Sequence, residues 1–210
     1  IIPFTIAQEQ AEAAIQEKLL GKWERFKGVF VNNKVTQSMF AGTYLPFWVF
    51  DVVLDVNLTF RVTDSSTIRY GARPTRTETR ADVFNNYPFP AVVSPSPRLI
   101  EKVSRFKYEN VQPYDARLLA RYPAEIYKID FDKASLEVRG HIRQLLRDKY
   151  SNGDSILEVS HRWSVMNDVT FQLALLPVWI ATLIEDDDDV RIGLVNGQTG
   201  HAVLGKARKP

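Results

Sequence analysis

The chain has 210 residues, of which 45% are apolar and 25% charged, with a formal net charge of +2. These are ordinary globular values, sufficient to bury a core, and so slight a charge gives no reason to expect a nucleic acid or an anionic membrane as partner. The absence of cysteine excludes disulfides, Cys-ligated zinc and a thiol nucleophile within the chain, and no apolar run reaches the roughly 18 residues of a membrane-spanning helix.

Twelve Phe, eight Tyr and four Trp supply large surfaces for burial, which argues against disorder outside loops and ends. The opening Ile1-Ile2-Pro3-Phe4 lacks an initiator Met and a basic region. It reads as a trimmed piece rather than a signal peptide. Residues 7–20, rich in Ala, Glu, Gln and Leu, predict a helix capped by Thr5, with Ala11, Ala14 or Ile15, Lys18 and Leu19 on one face and Gly21 at its end. Residues 22–34 are ambiguous and close on an Asn32-Asn33 turn signal.

The strongest strand signal follows. From Asp51 to Val62, the residues Val52, Leu54, Val56, Leu58, Phe60 and Val62 alternate with mostly polar neighbours. Period two of this length predicts a half-exposed antiparallel strand. After an Asp64-Ser65-Ser66 turn, residues 68–80 predict a hairpin whose outer face carries Arg69, Arg73, Arg76 and Arg80. Prolines 88 and 90 set an irregular path or a sheet edge, and Val92-Val93 is a short strand candidate. Ser94-Pro95-Ser96-Pro97 is the best internal boundary, with Ser96 capping a short helix over residues 98–106.

Asp115 caps a further helical turn, and residues 124–129 read as a short strand. Asp132 opens a second long helix over residues 133–150, whose apolar side is tracked by Leu136, Gly140 or His141, Leu145 and Leu146. Residues 156–166 predict a strand broken at Asn167-Asp168. Residues 169–184 form the last long apolar run, joined through an acidic turn to a partner at 190–195. A turn at Asn196-Gly197-Gln198-Thr199-Gly200 and a final strand at 201–204 complete the chain.

Leu45-Pro46-Phe47-Trp48 is echoed by Leu176-Pro177-Val178-Trp179. In both halves a helix precedes a Leu-Pro-x-Trp strand with antiparallel partners. The expected fold is therefore α+β: two similar helix-plus-antiparallel-sheet units, residues 1–94 and 95–210, related by internal duplication and packed as one body or two joined halves.

Little points to chemistry. The chain has no P-loop, dinucleotide-binding, zincin or nucleophile-elbow motif. His141, His161 and His201 have no metal-site spacing. Glu185-Asp186-Asp187-Asp188-Asp189 lacks the ligand alternation and glycine of a calcium loop and reads as a solvated hairpin tip. Trp48 and Trp179 read as core anchors, and Gly200 as a residue with positive φ.

Across Tyr44 to Asp51, Val111 to Asp115, Asp168 to Phe171, Leu175 to Trp179 and Val195 to Gly200, nearly the whole chain resembles a bacterial family of zinc-ribbon proteins. Members of that family often carry the name of primosomal protein N-prime, a helicase. The resemblance implies an N-terminal zinc ribbon and a hydrophobic segment after the last strand, neither of which this chain contains. It transfers no catalytic residue, and the helicase motifs are missing. Residues 195–204 also resemble the closing hairpin of PepSY-type modules.

The expected function is a non-catalytic interaction or scaffold module that presents a sheet surface to a protein partner or to itself, with no cofactor or metal. The alternative is a nucleic-acid-binding accessory in replication or repair, using Arg69, Arg73, Arg76 and Arg80. An enzyme relying on Asp115 and Asp168 is a third reading. The expected location is the cytoplasm, at the inner face of a membrane only if a flanking segment supplies the anchor.

Overall fold

A computed structural model describes residues 1–20, 35–62, 75–150, 157–185 and 188–209; among these, the side chains of residues 61–62 and 157–163 are not described. The elements are α1 (Gln8–Leu19), β1 (Val35–Val62), β2 (Thr75–Pro90), α2 (Pro97–Val103), a 3-10 turn (Tyr108–Asn110), α3 (Ala116–Leu119), α4 (Phe131–Lys149), β3 (Leu157–Glu185), β4 (Val190–Asn196) and β5 (Ala202–Leu204). The five strands form an antiparallel sheet in the order β2-β1-β3-β4-β5. The α+β class is therefore observed.

Two compact units share the long strands. The first comprises residues 1–48, 88–130 and 173–210, and the second residues 49–87 and 131–172. Both are assembled from separated stretches of chain, and the sequence boundary at 94/95 lies inside one segment of the first.

In the first unit, α1 and α2 both pack on β4 and β5. Ala11 and Ile15 of α1 join Trp179, Ala181, Leu183, Val195 and Ala202 in one buried cluster. The α1 cap differs from expectation. Ala7 precedes the helix, and its N–H donates to the Gln10 side chain at 2.9 Å. Thr5 instead donates its hydroxyl to the Gln198 carbonyl at 2.7 Å, because residues 1–6 run as a strap against the far end of the chain. Residues 124–129 form a similar strap, joined to β1 by an isolated parallel bridge between Tyr44 and Ala124 rather than as a strand. Val92 and Val93 likewise lie outside any strand.

The two Leu-Pro-x-Trp motifs bind these straps through the same set of bonds. The Tyr44 carbonyl accepts from Glu125 N–H, the Ala91 carbonyl from Lys128 and Ile129 N–H, and the Ile129 carbonyl from the Trp48 indole at 2.9 Å. In the other set, the Leu175 carbonyl accepts from Ile2 N–H, the Gly197 carbonyl from Thr5 and Ile6 N–H, and the Ile6 carbonyl from the Trp179 indole at 2.9 Å. The prolines match as well. Pro46 accepts from Ala91 N–H and Pro177 from Gly197 N–H. The missing proline N–H thus falls where an outer ladder ends, the position a strand proline tolerates. Each Trp also meets an aromatic ring edge-on, Trp48 with Tyr127 and Trp179 with Phe4 and Tyr122.

Asn196 and Gly200 build the closing turn as expected. The Asn196 carboxamide accepts from Gln198 and Thr199 N–H and donates to the buried Val103 carbonyl, while Gly200 takes φ +74. Gly197 leaves room for the strap, since a Cβ there would lie 2.6 Å from the Phe4 ring.

In the second unit, β1 follows its period-two pattern closely. Val52, Leu54, Val56 and Leu58 are buried, while the residues between them are partly or largely exposed. α4 buries Ala134, Val138, Ile142 and Leu146, a stripe at spacing four. Of the expected face Leu146 is buried, whereas Leu136 and Leu145 point to solvent, because the stripe at spacing four passes through Ala134, Val138 and Ile142. β3 runs unbroken through Asn167-Asp168.

Candidate functional site

Among the described residues of the second unit, a cleft of about 290 Å³ opens between α4 and β3. Its apolar wall begins with three phenylalanines from three elements. Phe131, at the first turn of α4, stacks on Phe171 of β3 with ring centroids 3.9 Å apart, and Phe50 of β1 lies 6.1 Å from Phe131 and 6.4 Å from Phe171. Val52, Val138, Met166 and Val169 complete this wall. The polar rim comes from one side of α4: Asp132, Ser135 and Arg139. Three- and four-residue steps keep these side chains on a single helical face.

The cleft exists because β3 changes phase. Met166 and Val169 both line it together with Val52, whereas Asn167 donates to Asp55 at 2.9 Å on the opposite face of β1. Strict alternation cannot put residues three apart on one face. One extra residue is therefore inserted at Asn167-Asp168, which is a β-bulge. The polar pair that reads as a strand break is this bulge.

The pairing of β3 with β4 covers residues 178–184, and Ile2 reaches Leu175. Further along β3 lie residues 164–172. Eight of these nine residues are exposed, including Val165, Val169 and Phe171 at 45, 37 and 50%.

The titratable groups expected to matter lie elsewhere. Arg69 and Arg73 fall outside the described residues. Arg76 is exposed on β2. Arg80 donates to Glu78 at 2.8 Å and sits over the Tyr150 ring. This hydrogen bond holds Glu78 below the usual carboxylate range. Asp115 caps α3 and is gripped by Arg117 through both carboxylate oxygens, which lowers its pKa. Asp168 is exposed at the bulge.

His141 lies 3.4 Å from the Tyr87 hydroxyl. His201 belongs to the first unit, and burial, aided by Arg105 and Lys18, keeps its pKa below 6.5. The His161 side chain is not described. Among the described residues, no three His, Cys, Asp or Glu side chains gather as a metal site would require. Of the acidic run, Glu185 is not solvated as expected. It is buried and accepts from Arg191 at 2.6 Å, closing the β3–β4 hairpin.

A buried network stands at the other end of α4. Asp82 of β2 is only 7% exposed and accepts from Lys149 and, at 2.8 Å, from the Tyr150 hydroxyl. The hydrogen bond to Asp82 raises the Lys149 pKa, whereas burial, then the same carboxylate, raises that of Tyr150. Each group has a partner, so the network ties α4 to β2.

Sequence reasoning missed the cleft. One signal was present: Phe131, Asp132, Ser135 and Arg139 set an aromatic and three polar groups on one helix flank. Nothing local in the sequence links that flank to Phe50 or Phe171.

The chain is similar to the uncharacterised protein YdjG of Bacillus subtilis (strain 168), with 26% identity over 219 aligned positions. The alignment covers 97% of this chain and 62% of YdjG, so the chain spans less than two thirds of that relative's length. No family model and no solved structure matches it. No helix among the described residues is long and apolar enough to cross a membrane.

Proposed function

We propose that the protein is a non-catalytic interaction module that engages a protein partner through the sheet of its second unit. One observation carries this reading: within residues 164–172 of β3 three apolar side chains, Val165, Val169 and Phe171, stand exposed. Exposed apolar side chains grouped on one strand mark an interaction surface, and proteins without such a use dilute them with charge or proline. Asp168 is the only charge in this stretch, and it contains no proline.

The test is a photo-crosslinking amino acid placed at Val165 in cells that make the protein, with Val83, an exposed position on β2, as control. A discrete adduct from position 165 and none from 83 is the expected result. Equal yields from both positions would refute the reading.

The proposal includes internal duplication. Its support is the matched bonding of the two Leu-Pro-x-Trp motifs, in which each motif holds the strap that precedes the other motif's helix. The resemblance to zinc-ribbon proteins adds a setting in which this module works beside a zinc ribbon. Zinc analysis of the intact gene product tests that setting.

A further inference from the structure

We infer that the cleft beside α4 binds a small monocarboxylate, its aromatic or branched aliphatic body seated against the Phe131–Phe171 stack and its carboxylate on Arg139. This goes beyond the partner surface and gives the second unit a small-molecule ligand. Three features of the cleft select that class.

The first is its size and origin. A volume of about 290 Å³ lies at the small end of ligand pockets. It is the share of about ten waters, so the occupant is a compact molecule with about that number of non-hydrogen atoms. The space is opened by the β3 bulge, which turns Met166 and Val169 to one side. A bulge disrupts the local ladder, and bulges concentrate beside functional sites, where they re-aim side chains.

The second is the aromatic wall. The Phe131 and Phe171 rings stack at 3.9 Å, and Phe171 is half exposed. Two rings paired face to face still offer their edges and outer faces to a third apolar group. Burying an apolar body here removes its surface, and theirs, from water.

The third is the polarity of the rim. The Ser135 hydroxyl donates to the Asp132 carbonyl at 2.9 Å, so its proton is engaged and its oxygen is left to accept. With the Asp132 carboxylate, that end of the rim offers acceptors. Arg139 lies one turn further along α4, about 6 Å on, and offers only donors. It is exposed, and its guanidinium has no ion-pair partner among the described residues. A carboxylate is therefore held at Arg139 and repelled at Asp132. The apolar body then extends back toward Phe131, about 12 Å up the helix. A second carboxylate at the far end would meet Asp132, which restricts the ligand to one acid group.

The experiment is methionine-methyl NMR on the full chain. The chain has two methionines: Met166 lines the cleft, while Met39 is exposed in the first unit and serves as control. Titration with 3-phenylpropanoate is expected to move the Met166 signal saturably and to leave Met39 in place. The neutral 3-phenylpropanamide is expected to bind at least about tenfold more weakly. Arg139→Gln should abolish this preference for the acid while leaving the affinity for the amide unchanged. A carboxylate added at the far end of the ring should weaken binding relative to a carboxamide of the same size, and Asp132→Asn should remove that difference. No Met166 shift at millimolar ligand, equal shifts of both methionines, equal binding of acid and amide, or a preference that survives Arg139→Gln would each overturn the proposal. The crosslinking at Val165 is read separately: an adduct there with an unmoved Met166 signal would remove the ligand site and leave the partner surface standing.

Discussion

Replacing Asp82 separates the two jobs its carboxylate performs. One oxygen accepts from Lys149, whose side chain is 55% exposed. The other accepts from the Tyr150 hydroxyl in a buried contact. A half-exposed ion pair is worth about 0.2–1 kcal/mol after screening. Leaving a buried hydroxyl without a partner costs about 1–3 kcal/mol. Asp82→Asn keeps an acceptor for Tyr150 and loses mainly the ionic part, about 1 kcal/mol. Asp82→Ala loses both and is expected to cost about 2–3 kcal/mol.

Hydrogen exchange of the α4 amides reads the second unit directly, and at about 1.4 kcal/mol per decade the Ala variant should exchange roughly 30- to 150-fold faster than wild type. The Asn variant should stay within about tenfold. Equal acceleration in the two variants would show that charge, and not the tyrosine bond, fastens α4 to β2. No acceleration in either would falsify the network's structural role.

Other outcomes follow from the same geometry. Trp48→Phe and Trp179→Phe each remove one indole bond to a strap carbonyl, so each should destabilise by about 1–2 kcal/mol, measured by urea unfolding; a cost confined to one of them would weaken the case for equivalent straps. Gly197→Ala places a methyl against Phe4 and should cost about 1–3 kcal/mol, with exchange in residues 1–6 rising more than in α4. Raised pKa values mean that folded Lys149 and Tyr150 keep protons that the unfolded chain releases near 10.5 and 10.0. Their contribution is therefore complete below pH 10 and fades as pH climbs past it; alkaline titration of Asp82→Ala should show a shallower loss than wild type. Duplex DNA titrated at low salt is expected to give no binding, and a salt-dependent complex lost on Arg76→Ala would restore the nucleic-acid reading.

How much of this was readable in advance depends on whether the signal was local. The alternation from Val52 to Leu58 appears in the fold residue by residue, because strand periodicity is written along one segment. Pro97, Asp115 and Gly200 also act where expected, since caps and turns are set by immediate neighbours, whereas Ser96 holds the N-cap position without a side-chain bond. The α4 face was misread because leucine is a stronger cue than alanine, yet Ala134 is buried and Leu136 is not. Asn167-Asp168 was taken for a break because a bulge and a turn favour the same polar residues. The Leu-Pro-x-Trp pair was legible as an echo. The straps it binds were not, for their contacts run through backbone carbonyls that leave no mark on composition. The cleft was hidden for a related reason: Phe50, Phe131 and Phe171 come from three distant segments.

The exchange of straps has a consequence for biosynthesis. Ile2 and Ile6 dock on Leu175, Trp179 and Gly197, so residues 1–6 must wait for residues 175–197 to be made before finding their seats. Contacts this distant in sequence slow folding and leave apolar surface uncovered during synthesis. Residues 124–129 wait too, but in reverse, since Tyr44 and Ala91 are already out when they emerge. The seat built on β1 can therefore be filled while synthesis continues, whereas the seat built on β3 is filled by residues 1–6 only once residues 175–197 have emerged.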